Sequence, residues 1–354
     1  MSFPIVITFL FGLVFLILGA ETLVRGASRL ATIIGISPLV IGLTIVAFAT
    51  SSPELAVSIQ AALTGQPDIS VGNVVGSNIF NILFILGVSA AITPLLVSQQ
   101  LVRLDVPIMI ASSILLYLFG LDGKINRYDG IVFTIGIVIY ILFLYYQNRK
   151  THSKTQNNNE TEVNRSNKKY LINVLFILAG FGMLVIGSRW LVQGAIFIAQ
   201  ALGISQLVIG LTVVATGTSL PEVATSVVAA VKKERDIAVG NIVGSNIFNI
   251  LAVIGISSLV APDGISVSAA ALRFDIPVMI AISFACIPIF FTGYIIARWE
   301  GFLFLGYYLA YSIYLFLESS SHEILAIFST TMLLFVIPIT ILTLIIVTWR
   351  SFRS

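Results

Sequence analysis

The chain has 354 residues, of which 58% are hydrophobic and only 10% charged, and its mean hydropathy is +1.04. Soluble domains carry roughly 25% charged residues, so composition excludes a water-soluble globular protein. Apolar runs of about 20 residues, each able to cross roughly 30 Å of hydrocarbon, recur throughout and define a polytopic helical membrane protein. Runs this continuous exclude a β-barrel, whose strands alternate.

The net charge of +3 and pI near 9.0 do not point to nucleic acid, because the basic residues sit in loops and read as an orientation signal. Cys286 is the only cysteine, so no intrachain disulfide can form, and within an apolar run it reads as a small core residue.

In chain order, residues 1–20 have no basic n-region and run on into Glu21 and Arg25, so they read as a first span and not as a cleaved signal. Spans are expected near 3–24, 37–63, 69–94, 103–121 and 128–147. The polar stretch THSKTQNNNETEVNRSNKK at 151–169 reads as a flexible linker. Spans resume near 170–200, 205–231, 237–261, 274–294 and 300–317, and an eleventh, 324–348, has no counterpart. The expected organisation is a five-helix repeat (1–147), a linker (148–169), a second five-helix repeat (170–317) and an extra helix with a tail (318–354).

The strongest internal signal is a repeat. TSSPELAVSIQAALTGQPDISVGNVVGSNIFN at 50–81 returns as TSLPEVATSVVAAVKKERDIAVGNIVGSNIFN at 218–249, at a constant offset of 168. About two thirds of positions are identical between 35–87 and 203–255. An odd number of spans per repeat forces the second copy to enter from the opposite side, so the repeats are expected to be inverted. Charge agrees: the loop at 64–68 has no Lys or Arg, whereas its counterpart at 232–236 has three. An outside N-terminus puts 15 Lys and Arg inside against three outside, with Arg189 in a span; the expectation is N-out and C-in.

Each repeat carries a glutamate beside a proline in an apolar run. Pro53 and Pro221 each remove a helix hydrogen bond, and such a break is tolerated where the freed backbone is buried or lines a wet cavity. Thr50 and Glu54 are four apart and share a helix face; Thr218 and Glu222 repeat the arrangement. Ser51 and Ser219 adjoin them. Ser77 and Asn81, and Ser245 and Asn249, are again four apart. The set offers only oxygen ligands, which suits Na+ or Ca2+ and not zinc or copper. A kink, a Gly-xxx-Gly pair such as Gly72 and Gly76, or a lone Ser or Asn is ordinary packing in a membrane protein. An intramembrane carboxylate is different, costing roughly 2.5–3.5 kcal/mol even on a lenient scale, and here two occupy equivalent positions.

Other acidic residues read as structural. Asp68 and Asp236 look like helix N-caps, Asp105 and Asp275 like caps or partners of Arg103 and Arg273, and Glu21 and Arg189 like members of pairs near helix ends.

With these residues in place, the sequence resembles the cation/calcium antiporter superfamily, in its sodium/calcium exchanger branch. The resemblance rests on ATSSPE and TGTSLPE followed by GNVVGSNIFN and GNIVGSNIFN, and covers residues 1 to about 317. It implies alternating access around ion sites between the second, third, seventh and eighth helices. Glu54 and Glu222 would be shared carboxylates for Ca2+ and Na+, with Thr50, Ser51, Ser77, Thr218, Ser219 and Ser245 adding oxygens, Ala47 and Ala215 backbone carbonyls, and Asn81 and Asn249 the central position. Asn249 stands where some prokaryotic relatives carry aspartate, so the set holds two formal charges. Gly76-Ser77 and Gly244-Ser245 stand where the proton-coupled branch usually has Glu-His.

The function expected is a Na+/Ca2+ antiporter in the cell membrane, not an enzyme, with the two ions as substrates, no cofactor, the lipid bilayer as partner and the oligomeric state open. A Ca2+/H+ exchanger using the same glutamates is the nearest alternative. A passive channel would have no need of paired halves, and an intramembrane hydrolase lacks HExxH and an intramembrane histidine.

Overall fold

In the computed structural model the residues described are 3–63, 68–155, 167–201, 216–320 and 322–353. A backbone in hydrocarbon must satisfy its own polar groups, and the apolar runs accordingly form helices. They are α1 (Phe3–Ile34), a bent pair α2 (Pro38–Thr50) and α3 (Ser52–Leu63), α4 (Ile69–Ile92), α5 (Leu101–Gly120), α6 (Arg127–Thr155), α7 (Asn167–Ala201), α8 (Leu220–Val231), α9 (Arg235–Val260), α10 (Ala271–Phe291), α11 (Arg298–Ser319) and α12 (Ile324–Val347). Among the described residues nine helices are long and apolar enough to cross a membrane, or ten when the bent pair is one span. The chain is an integral multi-pass membrane protein. Of the span expected at 205–231, residues 205–215 lie outside the described residues.

Two boundaries differ from expectation. α1 runs to Ile34 and stops at Gly35 (φ +71), a left-handed position suited to glycine. A hydropathy window ends at Glu21 and Arg25, but these charges are one helical turn apart and pair with each other, so the helix continues. Helix also reaches into both ends of the stretch expected as a linker. Helix extends to Thr155 on one side and begins again at Asn167 on the other, and residues 156–166 lie outside the described residues.

α9 is buried along its length and α4 along most of it. Glycines let neighbouring backbones reach α9: a Cβ on Gly240 would stand 2.9 Å from Leu39 O, and one on Gly244 would stand 2.8 Å from Leu43 Cα, both in α2. The equivalent partners of Gly72 and Gly76, at 207 and 211, lie outside the described residues.

α1 and α7 form a separate antiparallel pair. Gly12, Gly19 and Gly26 repeat every seven residues, as do Gly180, Gly187 and Gly194. Gly12 faces Gly187, and Gly19 faces Gly180; a Cβ on Gly180 would lie 2.6 Å from Leu23 N and one on Gly12 2.6 Å from Leu191 N. The seam thus exchanges partners between the halves at the 168-residue offset. In lipid no hydrophobic force drives helices together, so close backbone packing supplies the association.

Short strand pairings tie the loops. Leu95–Leu96 pairs antiparallel with Ile295–Ile296, and Lys124–Ile125 with Ile265–Ser266. Each pairing joins one half to the other. Wide π turns recur at matching places, Asn81–Leu86 with Asn249–Ile254 and Leu101–Asp105 with Ala271–Asp275.

Gly180→Val and Gly187→Val are expected to overpack the α1–α7 seam and lower stability by about 1–3 kcal/mol. Gly306→Ala, with nothing within 4 Å of its Cβ, is expected to leave it unchanged. Thermal unfolding of the purified protein in detergent checks both.

Candidate cation site

In each half a helix starts just before the glutamate, and in the first half this start is a break in a longer apolar stretch. The chain bends by 44° between α2 and α3, at Ser51 (φ −84, ψ 4); Ser219, preceding α8, has nearly the same angles (φ −87, ψ 6). Pro53 and Pro221 occupy the first turns that follow, where a missing N–H costs nothing. Glu54 and Glu222 therefore lie in first turns, at the end of the helix dipole that favours negative charge. Both are buried, at 0% and 1% exposure.

Each carboxylate is held by a serine of the other half. Ser219 Oγ donates to Glu54 Oε1 at 3.0 Å and Ser51 Oγ donates to Glu222 Oε1 at 3.2 Å. Ser219 Oγ is also 3.0 Å from Ser77 Oγ. Thr50 Oγ1 donates to Asn241 Oδ1 at 3.1 Å, with Ser245 Oγ at 3.4 Å, and Thr218 Oγ1 reaches Asn73 Oδ1 at 3.5 Å. Ala47 is buried, and its carbonyl accepts from Ser51 N at 2.9 Å and Thr50 Oγ1 at 3.4 Å. Ala215 lies outside the described residues.

The asparagines form a reciprocal lattice between α4 and α9. Asn81 Nδ2 donates to Asn246 Oδ1 at 2.9 Å, and Asn249 Nδ2 donates to Asn78 Oδ1 at 3.0 Å. Asn78 and Asn246 in turn donate to each other's backbone carbonyls, at 3.2 and 3.4 Å. With their nitrogens engaged in this way, Asn81 and Asn249 keep their carbonyl oxygens free.

At these glutamates and asparagines, four buried oxygens have no hydrogen-bond donor among the described residues: Glu54 Oε2, Glu222 Oε2, Asn81 Oδ1 and Asn249 Oδ1. No Lys, Arg or His within the described residues forms an ion pair with either glutamate. Buried carboxylates without a counter-charge cost several kcal/mol each. A hard cation would satisfy such oxygens, which are the ligand type Na+ and Ca2+ take. Among the described residues no three His, Cys, Asp or Glu side chains come together, so the donor set is two carboxylates with amides and hydroxyls.

Comparison with known proteins agrees with this chemistry. The family model described as sodium/calcium exchanger protein matches residues 4–148 and again 172–317. The chain belongs to the sodium/calcium exchanger family. The sodium/calcium exchanger MaX1 of Methanosarcina acetivorans is 35% identical over 341 residues, 87% of this chain and 97% of that one. The putative antiporter CaxA of Alkalimonas amylolytica is 41% identical over 263 residues, covering 74% and 82%. A solved structure of the sodium-calcium exchanger NCX_Mj, soaked with Na+ and Sr2+, superposes with a TM-score of 0.75 at 33% identity, covering 87% of this chain and 97% of that one. This supports assignment as a cation/calcium antiporter with an NCX_Mj-like fold. The second match ends at 317, before α12.

Four asparagines were not singled out from the sequence. Asn78 and Asn246 hold the central amides. Asn73 Nδ2 donates to Glu54 O at 3.1 Å and Ser58 Oγ at 3.0 Å, and Asn241 Nδ2 donates to Ser226 Oγ at 2.9 Å. A signal existed for the first pair: Asn78 precedes Asn81 by three, the other spacing that shares a helix face.

Several structural readings are corrected. Asp105 is fully buried and bonds neither Arg103 nor a helix end; Tyr140 OH donates to its Oδ1 at 3.0 Å. Asp275 likewise accepts from Tyr311 OH at 2.9 Å. In each case the arginine two residues earlier falls on a different face of the helix. Asp236 lies in the first turn of α9, whose cap is Glu234. Glu21 pairs with Arg25 and, at 2.6 Å, with Lys232, while Arg189 has no ion pair among the described residues.

Glu222→Gln is expected to raise thermal stability in buffer free of Na+ and Ca2+, by about 1–4 kcal/mol, because it removes an uncompensated buried charge. Differential scanning calorimetry in chelator-treated detergent solution checks this; an unchanged or lowered melting temperature contradicts it.

Proposed function

We propose that the protein is a secondary antiporter exchanging Na+ for Ca2+, with the ions bound as substrates at Glu54, Glu222, Asn81 and Asn249. The observation that carries this reading is the set of four donor-less buried oxygens, two carboxylate and two amide, supplied in equivalent pairs by the two halves. Two carboxylates balance one Ca2+. Two Na+ ions balance them equally well, so either cargo neutralises the site and each excludes the other. Thr50, Ser51, Ser77, Thr218, Ser219 and Ser245 add hydroxyl oxygens as their hydrogen bonds are exchanged for metal contacts, and Ala47 and Ala215 add carbonyls.

The repeats, 1–147 and 170–317 around a linker at 148–169, with 318–354 appended, are inverted in this reading. Its support is the loop pairing. Leu95–Leu96 and Lys124–Ile125 flank opposite ends of α5, and the second is paired with the counterpart of the first, Ile265–Ser266. The charge distribution supports an outside N-terminus and an inside C-terminus, in the cell membrane. Alternating access then follows from rocking one arrangement into its mirror-equivalent around a fixed site.

The test is 45Ca2+ uptake into proteoliposomes loaded with Na+, beside Na+-free vesicles with an imposed pH gradient. Uptake driven by internal Na+ is expected, falling to the leak level in Glu54→Gln and Glu222→Gln. Uptake that follows the pH gradient and ignores Na+ overturns Na+ coupling in favour of proton exchange. Asn78→Ala, which frees the Asn249 amide to rotate, is expected to weaken Ca2+ binding about 10–100-fold, as loss of a ligand's own anchor generally does; calorimetric titration reads it.

A further inference from the structure

α12 has no counterpart in the first half, and the family match ends before it. It does not seal against the helices beside it. Apart from Leu344, its apolar side chains are half-buried or exposed. Between α10, α11 and α12 lies a cavity of about 450 Å³, within the range of small-molecule sites.

Its shape limits its occupant. The wall on α10 runs from Phe274 to Ile289, which at 1.5 Å per residue is about 22 Å. The cavity is elongated along α10, a shape that suits a polymethylene chain lying extended beside the helix. Small residues make the room: Ala281 and Ala285, one turn apart, line the α10 wall.

Its chemistry limits the occupant further. Tyr307 OH donates to Thr340 Oγ1 at 2.7 Å, Thr340 Oγ1 to Val336 O at 2.8 Å, and Tyr311 OH to Asp275 Oδ1 at 2.9 Å. Of the five lining hydroxyls, those of Tyr307, Tyr311 and Thr340 are engaged within the protein, leaving Tyr314 and Ser329 as the other polar groups, and no Lys or Arg lines the slot to pair with a charged headgroup. The rest of the wall is apolar and favours hydrocarbon over water. The medium against the outer face of α12 is the hydrocarbon of the bilayer.

We propose that this slot is a binding site for one lipid acyl chain, which enters from the bilayer and completes the packing of α12 on α10 and α11. The occupied slot packs against α10, which also carries Met279, whose sulfur meets Asn78 Nδ2 at 3.6 Å. The chain thereby supports a helix that touches the asparagine lattice.

The test uses the full-length protein in vesicles of phosphatidylethanolamine and phosphatidylglycerol doped with a phosphatidylcholine bearing a diazirine on its acyl chain. After irradiation, labelled peptides are mapped. Labelling of α10 and α12 at Ala281, Ala285 and Met332 is expected to exceed, several-fold, that of the exposed lipid face of α6 at Ile135 and Leu142. Ala281→Leu and Ala285→Leu, which fill the slot, are expected to remove the excess while α6 labelling stays constant. Each variant is taken forward only after cooperative thermal unfolding is confirmed; Ala285→Ser, which keeps the volume, should retain the excess. Labelling no greater than on α6, or an excess that survives both leucine variants, would each overturn the proposal.

Discussion

A carboxylate taken out of water must be paired, protonated or coordinated, and the interior of this protein is arranged around two that have no cationic side chain beside them. Glu54 and Glu222 lie at the starts of helices, each with one oxygen bonded by a serine from the opposite half and the other bonded by nothing among the described residues. The same holds for Asn81 and Asn249, whose nitrogens are engaged and whose oxygens are free. Stability alone would favour removing such a cluster. A site that must accept cations and release them needs it, because a fully satisfied network would have no oxygen left to offer.

The duplicated sequence gives these contacts their economy. An amide or hydroxyl that reaches across to the other half is met by its equivalent reaching back, as with Ser219 and Ser51, Thr50 and Thr218, and the lattice of Asn78, Asn81, Asn246 and Asn249. The glycine seam of α1 and α7 obeys the same exchange. These contacts come in near-equivalent pairs, which is the pattern that the alternating access proposed above would draw on.

Outside this symmetric body the constraints are looser. The Glu21–Lys232 ion pair and the Ser28–Glu234 hydrogen bond join α1 to the α8–α9 turn, and the first half offers no equivalent because Glu21 is matched by Arg189. α12 answers to no partner in the repeat, and its apolar face meets α10 and α11 incompletely.

The sequence by itself determined the membrane class, the existence of most of the spans, the repeat, and the pair of intramembrane glutamates that the proposed site is built on. Each of these rests on local quantities: apolar run length, the price of an intramembrane charge, and self-identity at a fixed offset. The length of α1 past Arg25, the helical ends of the linker and the Tyr140–Asp105 and Tyr311–Asp275 pairs were not legible, because each depends on a partner far away or on a pairing that hydropathy cannot see. The Asn78–Asn249 and Asn246–Asn81 bonds show the limit most clearly. Spacing puts these residues on related helix faces, but which nitrogen is held, and so which oxygen stays free, is decided only when α4 and α9 cross. Tertiary structure decided it because a hydrogen bond is directional, and direction exists only between elements already placed.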